Sequence, residues 1–189
     1  MNYTWAFDII PKSGIKTIYE IGSRDCLDSI TLQNHFQCDV TSFECNPDCI
    51  IECKKNVIGN NSILLIEKAV HDHNGIVSFY PFKRNVYDNI GASSLFEIDF
   101  TTNRVKTDPD YGRSNVQDKI SVESIRLDTY IQQTNNIVPD IICMDVQEAE
   151  LLVLKSNTNN GEFPTVSTTF NFFDCIYVNI NCASNDELQ

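Results

Sequence analysis

Short apolar runs that end at an acidic or turn-forming residue alternate along this chain with segments whose apolar residues recur at helical spacing. Thr17 to Ile21 and Val40 to Glu44 read as strands. The first opens into a helix from about Cys26 to Phe36, apolar at Leu27, Ile30 and Leu32 and cappable by Asp25. The second opens into a helix from Pro47 to Asn56, where proline suits a first turn that needs no N–H. Ser62 to Val70 predicts a third strand, and Asn74-Gly75 gives a hairpin signal before the alternating strand Ile76 to Phe82. Lys119 to Glu123 reads as a further strand, Leu127 to Gln133 as a short helix and Pro139 to Asp145 as the fourth parallel strand. Gln147 to Ser156 then predicts a helix packed through Leu151, Leu152 and Leu154. The alternation predicts an α/β fold with a doubly wound, mostly parallel sheet, preceded by a leading segment, residues 1–15, that closes one end.

Two regions break the rhythm. Residues 83–118 are polar, weakly periodic and marked by an Asp108-Pro109-Asp110-Tyr111-Gly112 turn. A loop this long in a compact domain covers a site or stays disordered, so it reads as a mobile lid that carries Ser93-Ser94 on the substrate side. In the tail, Thr165 to Phe170 and Cys175 to Ile180 are β-rich. With no internal repeats and no low-complexity linker, the 189 residues read as one domain, long enough to bury roughly 70% of its unfolded surface.

Charge and cysteines narrow the partners. A net charge of −12, without Lys or Arg clusters, argues against nucleic acid or an anionic membrane and favours a small or neutral substrate. No stretch approaches a membrane span, and Asp8, Pro11 and Lys12 interrupt any signal-like region, so the cytosol is the expected compartment. The eight cysteines are then reduced, and the sequons at Asn2 and Asn60 unglycosylated. Cys45, Cys49 and Cys53 lack zinc-site spacing; Cys49 and Cys53 share a helix face as small buried thiols. His71-Asp72-His73 is expected to splay its side chains from a turn, so no metal is assigned.

The chemistry concentrates where the first two strands end. Both Glu20-Ile21-Gly22-Ser23 and Phe43-Glu44-Cys45 lie at the carboxyl edge of the predicted sheet, where such sheets bind ligands. A dinucleotide needs several loop glycines to let the backbone approach a pyrophosphate, and this loop offers Gly22 alone. S-adenosylmethionine (SAM) carries no phosphate. It needs one close backbone approach for its methionine tail and a carboxylate for its ribose, and Gly22 and Glu44 are placed for those tasks.

Further segments, in order, are Glu67-Lys68-Ala69-Val70-His71-Asp72, Gly91-Ala92-Ser93-Ser94-Leu95, Ile125-Arg126-Leu127-Asp128-Thr129-Tyr130 and the stretch from Pro139 through Asp145 to Lys155. With the first two motifs they resemble the FkbM-type family of SAM-dependent methyltransferases, from about Lys16 to Lys155. The resemblance implies a Rossmann-like class I methyltransferase fold and O-methylation of a hydroxyl on a sugar or other small molecule. It places Glu20, Gly22 and Ser23 beside the methionine part of SAM, Glu44 and Cys45 at the ribose, and Ala69 and Val70 with Lys68 at the adenine.

The same resemblance makes Asp145 the candidate for orienting or deprotonating the acceptor, with an N-cap for the next helix as its other reading. Glu150 is a weaker candidate. Glu148 and Glu150 suit the dipole of a first helical turn. Three positions depart from the family: Cys26 and Glu148 stand where glycine is usual, and Gln147 where glutamate is. The family would also continue into another helix and a closing antiparallel strand pair, so the tail reads as shortened, or the chain as a fragment, with an uncovered apolar edge that favours homo-oligomers. A catalytically degenerate SAM-binding module and a nucleotide-sugar or nicotinamide enzyme are the competing readings.

Overall fold

Along β1 (Thr17–Ile21) every residue after the first is buried, which a strand achieves only when both faces of its sheet are covered. The computed structural model describes residues 3–86, 90–98, 116–135 and 137–156, and the backbone of 166–171 and 174–179. β1 is flanked in parallel by β2 (Asp39–Phe43) and by the strand Ile141–Met144, and β2 by β3 (Ile63–Ile66). Alternate residues feed opposite layers. Ile18, Val40, Ile141 and Cys143 pack with Leu32 and Phe36 of α1 (Leu27–Phe36) and with Tyr3 and Ala6 of a 3₁₀ turn. Tyr19, Ile21, Phe43, Ile142 and Met144 pack on the other face against Leu127, Tyr130 and Val153. The Rossmann-like architecture is therefore present: a parallel sheet with helices on both faces.

The third strand departs from expectation. Its run breaks after Ile66, where Lys68 N–H turns back to the Ile66 carbonyl at 2.9 Å. β4 (Ala69–Val70) leaves for a second, three-stranded sheet with β5 (Gly75–Phe79) and β6 (Ile120–Ile125). The Asn74-Gly75 hairpin is not formed, because β6 lies between β4 and β5, parallel to the first and antiparallel to the second. Tertiary pairing overrides the local turn signal here. Asn74 serves the helix that follows β6 instead: its side chain accepts from Arg126 N–H at 2.8 Å and donates to Thr129 Oγ1 at 3.0 Å.

The later elements follow. α2 (Pro47–Asn56) starts at Asn46, whose side chain accepts from Asp48 N–H, and buries Cys49 and Cys53. α3 (Leu127–Gln133) matches its expected span, and β7 (Ile141–Met144) is the fourth parallel strand. The last helix, α4 (Glu150–Lys155), starts later than its apolar spacing suggested, because Gln147 and Glu148 adopt φ of 51° and 77°. Glu148 thus lies outside the helix, and Asp145 is not its N-cap; Ala149 holds that position. β8 (Val166–Asn171) and β9 (Asp174–Asn179), the two β-rich runs of the tail, form an antiparallel pair, with β9 beside β7. Residues 180–189, with the Asn185 to Gln189 segment, lie outside the described residues, as do 99–115 of the expected lid and its Asp108 turn.

What is described of the lid is fastened to the second sheet. Tyr80 bridges to Ser94 and Phe82 to Gln117, and Ser93 Oγ accepts from Phe82 N–H at 3.1 Å.

Gly22 is where the two central strands converge. Its φ is +86°, and a Cβ there would lie 2.1 Å from the Asp145 carbonyl oxygen. Gly22→Ala should cost about 3 kcal/mol or more of folding stability, combining left-handed strain with a backbone clash. Gly59 has a similar φ of +78° but nothing within 4 Å, so Gly59→Ala should cost only about 1–2 kcal/mol. Urea unfolding of both variants separates strain from clash.

Candidate active site

β1, β2 and β7 end together at one edge, and their ladder continues into the loops: Gly22 N–H donates to Phe43 O, Glu44 N–H to Ile66 O and Asp145 N–H to Ile21 O. Above that edge lies a cleft of two chambers. One, about 570 Å³ including its space open to solvent, is walled by Phe43, Ala69, Val70, Phe79 and Leu95, with Glu44, Cys45, Asn46 and Lys68 at its polar side. The other, about 640 Å³, is polar and is lined by Tyr3, Glu20, Ser23, Asp28 and Gln147 among others. Gly22, Arg24, Gly91 and Asp145 line both and form the waist. An apolar slot beside a polar chamber, with few convergent charges, suits a ligand that is flat at one end and polar at the other.

Glu44 organises the first chamber. It is only 7% exposed, and its carboxylate accepts from three backbone amides: Arg24 at 2.8 Å, Cys45 at 2.8 Å and Asn46 at 2.7 Å. Burial raises its pKa, and those hydrogen bonds only partly offset the shift. Gly22's role also changes. The space its missing Cβ leaves is filled by the Asp145 carbonyl, so the glycine serves strand convergence as well as lining both chambers.

The loop from Gly22 to Leu27 spends all its amides internally. Gly22 and Ser23 donate to Phe43 O, Arg24 to Glu44, Asp25 and Cys26 to Ser23 O, and Leu27 to Asp25 Oδ1. A pyrophosphate would find no free amide there, in contrast to a dinucleotide-binding loop. Cys26, at a position where the family has glycine, adopts φ of 59°, a left-handed conformation that glycine adopts without strain.

Glu20 lies under the polar chamber, 2% exposed, accepting from Ser29 Oγ within a buried group in which Ser29 and Ser42 hydroxyls are 2.5 Å apart. Burial, the dominant cause, pushes its pKa up to about 8. Ser23 is also buried, its hydroxyl turned to the Glu20 and Phe43 carbonyls. Asp145 is half-buried, and its Oδ1 accepts from the Gln147 side-chain amide. Glu150 does not reach either chamber; its carboxylate accepts from Val146 N–H at 3.3 Å and braces the turn before α4. Glu148 is exposed and lines neither chamber.

The structure thus gathers Glu20, Gly22, Ser23, Glu44, Cys45, Ala69, Val70 and Asp145 around one cleft and leaves out Glu150. Sequence reasoning missed Arg24, Phe79, Gly91 and Leu95. Phe79 and Leu95 carried ordinary core signals and become walls only because the second sheet packs beside the strand ends.

A family model described as the methyltransferase FkbM domain matches residues 20–178, from Glu20 of the cleft into β9. The chain belongs to the FkbM methyltransferase family. A curated relative, the 2-O-methyltransferase NoeI of Sinorhizobium fredii, is 28% identical over 135 residues, covering 70% of this chain and 54% of that protein. The chain therefore spans about half the length of this curated relative. Among the described residues no helix is long and apolar enough to cross a membrane.

Glu20 makes this FkbM-family fold sensitive to pH. Its folded pKa of about 8 lies above the ordinary 4.5, so between those values the native state holds the extra proton. Its contribution is complete below pH 4.5 and is lost as pH rises through 8. Glu44, shifted the same way, adds to the trend. Urea unfolding from pH 5 to 9 should show falling stability, and Glu20→Gln should flatten the slope.

Proposed function

We propose that this chain is a SAM-dependent methyltransferase that methylates a hydroxyl of a sugar or other small molecule. The observation that carries the reading is the two-chambered cleft whose loop amides are all satisfied internally, because it suits a nucleoside lacking phosphate and leaves a nicotinamide dinucleotide without its anchor. Phe43, Ala69, Val70, Phe79 and Leu95 offer apolar walls to an adenine. Glu44 at the chamber's polar side would accept from ribose hydroxyls, Oε2 having a lone pair beyond its bond to Arg24 N–H.

When bound, SAM supplies a methyl group on a sulfonium, already activated for in-line displacement. The protein's task is to align and desolvate the acceptor. Asp145, which lines both chambers, would orient the acceptor hydroxyl and take its proton. The Gln147 amide steadies that carboxylate, where a glutamate would repel it. The 2-O-methyltransferase relative supports oxygen as the acceptor atom. The free cysteines fit a reducing compartment such as the cytosol.

Two measurements test this. Glu44→Ala should weaken SAM binding by roughly 10- to 100-fold in calorimetry, from loss of charged hydrogen bonds; with thermal unfolding run in parallel, unchanged affinity in a folded variant removes Glu44 from the site. Asp145→Asn should lower methyl transfer by roughly 10²-fold or more with SAM affinity nearly unchanged. Equal turnover would sink the role of Asp145. SAM binding by wild type with no transfer across a hydroxyl-acceptor screen would point instead to a cofactor-binding module.

A further inference from the structure

The turn after β4 does not splay its histidines. His71 Nδ1 lies 2.7 Å and His73 Nδ1 3.0 Å from the same Asp72 oxygen, and the two imidazole rings meet edge to face with centroids 4.2 Å apart. One ligand atom from each of the three residues falls within 4.8 Å of the others. His71 Nδ1 is buried, and despite its closeness to Asp72 it makes no hydrogen bond among the described residues. A buried imidazole nitrogen this close to a carboxylate oxygen, with no well-aligned hydrogen bond between them, is the arrangement of two donor groups that a metal ion draws together.

We propose that His71, Asp72 and His73 bind a divalent first-row transition-metal ion through His71 Nδ1, an Asp72 carboxylate oxygen and His73 Nδ1. Two imidazoles and one carboxylate are the donors such ions select over magnesium or calcium, which prefer oxygen alone. At metal–ligand distances of about 2.0–2.1 Å, ligand atoms on a tetrahedral zinc stand about 3.3 Å apart, close to the 2.7 and 3.0 Å that separate the imidazole nitrogens from the Asp72 oxygen. His73 has that freedom, with its side chain 57% exposed, and the solvent side leaves a fourth position for water.

The backbone bearing these ligands is held in advance. Arg126 Nη1 donates to the Asp72 carbonyl at 2.5 Å while its guanidinium grips Asp128, with Nε 3.0 Å from one carboxylate oxygen and Nη2 2.5 Å from the other. Ser124 Oγ donates to the His73 carbonyl at 2.9 Å. The Arg126-Leu127-Asp128 motif thus positions the ligand turn without touching the cleft. Since Val70 lines the cleft and His71 follows it, an ion here would stiffen the turn at the end of the strand that carries the cleft wall.

The test uses the untagged 189-residue chain stripped with EDTA and titrated with ZnCl₂, alongside Asp72→Asn and His73→Gln. Wild type should bind one equivalent and unfold at a higher temperature with Zn²⁺. Both variants should lose at least about 100-fold in affinity, beyond the 10- to 100-fold typical of losing an outer partner of a ligand. Neither is a core residue, and unchanged metal-free thermal unfolding verifies their folds. The proposal fails if millimolar Zn²⁺ produces neither heat nor a melting shift, or if both variants bind as tightly as wild type. It fails equally if the Co²⁺ complex shows a thiolate charge-transfer band, which would put the ion on the cysteines.

Discussion

The approach of the Asp145 carbonyl to Gly22 is the constraint on which the site depends. Two parallel strands that end side by side normally diverge into their loops, carrying their last residues apart. Here the absence of one Cβ lets the chain after β7 cross directly beside the turn after β1. That crossing puts Asp145 on the waist of the cleft and brings both chambers into one cavity. The same convergence obliges Arg24 and Cys26 to take left-handed φ of 51° and 59°, as the chain doubles back into α1.

Glu44 solves the problem this tight turn creates. A loop that curls beneath a sheet edge points several N–H groups inward, and leaving them unpaired would cost roughly 1–3 kcal/mol each. The buried carboxylate collects three of them from two separate loops and so ties the end of β1 to the start of α2. Its raised pKa measures the other side of the balance, desolvation exceeding the relief from hydrogen bonds. An anion that organises backbone amides inward also leaves none to hold a phosphate. The loop's geometry and the proposed preference for a phosphate-free nucleoside then have one cause.

Much of this was legible in the sequence because β1, β2 and β7 are buried on both faces, β7 reading as a continuous apolar run and β1 and β2 as short β-type runs that close on an acid. The acids closing β1 and β2 marked the ligand edge for the same reason. The second sheet was not legible, since β4 has only two residues and its partner β6 is remote in sequence; local pattern around Asn74-Gly75 pointed to a hairpin that long-range pairing displaced. The start of α4 was misplaced because apolar spacing persists through Gln147 and Glu148 while their φ values do not permit a helix. Glu150 looked like a site residue by position, yet its carboxylate is used on the backbone at Val146.

The division of labour between the carboxyl groups of the polar chamber follows from their surroundings. Glu20 and Asp145 line it together, but Glu20 sits 2% exposed among the hydroxyls of Ser29 and Ser42 with a pKa near 8, so at neutral pH it holds its proton. Held so, it can donate a hydrogen bond but cannot accept a proton from an acceptor hydroxyl. Asp145 is half-buried at the waist and is met by an amide donor from Gln147 rather than by a second carboxylate. Two acids in different environments take different tasks. For the proposed transfer, base chemistry therefore falls to the carboxyl that the Gly22 contact has carried to the waist, and burial keeps Glu20 from competing for it.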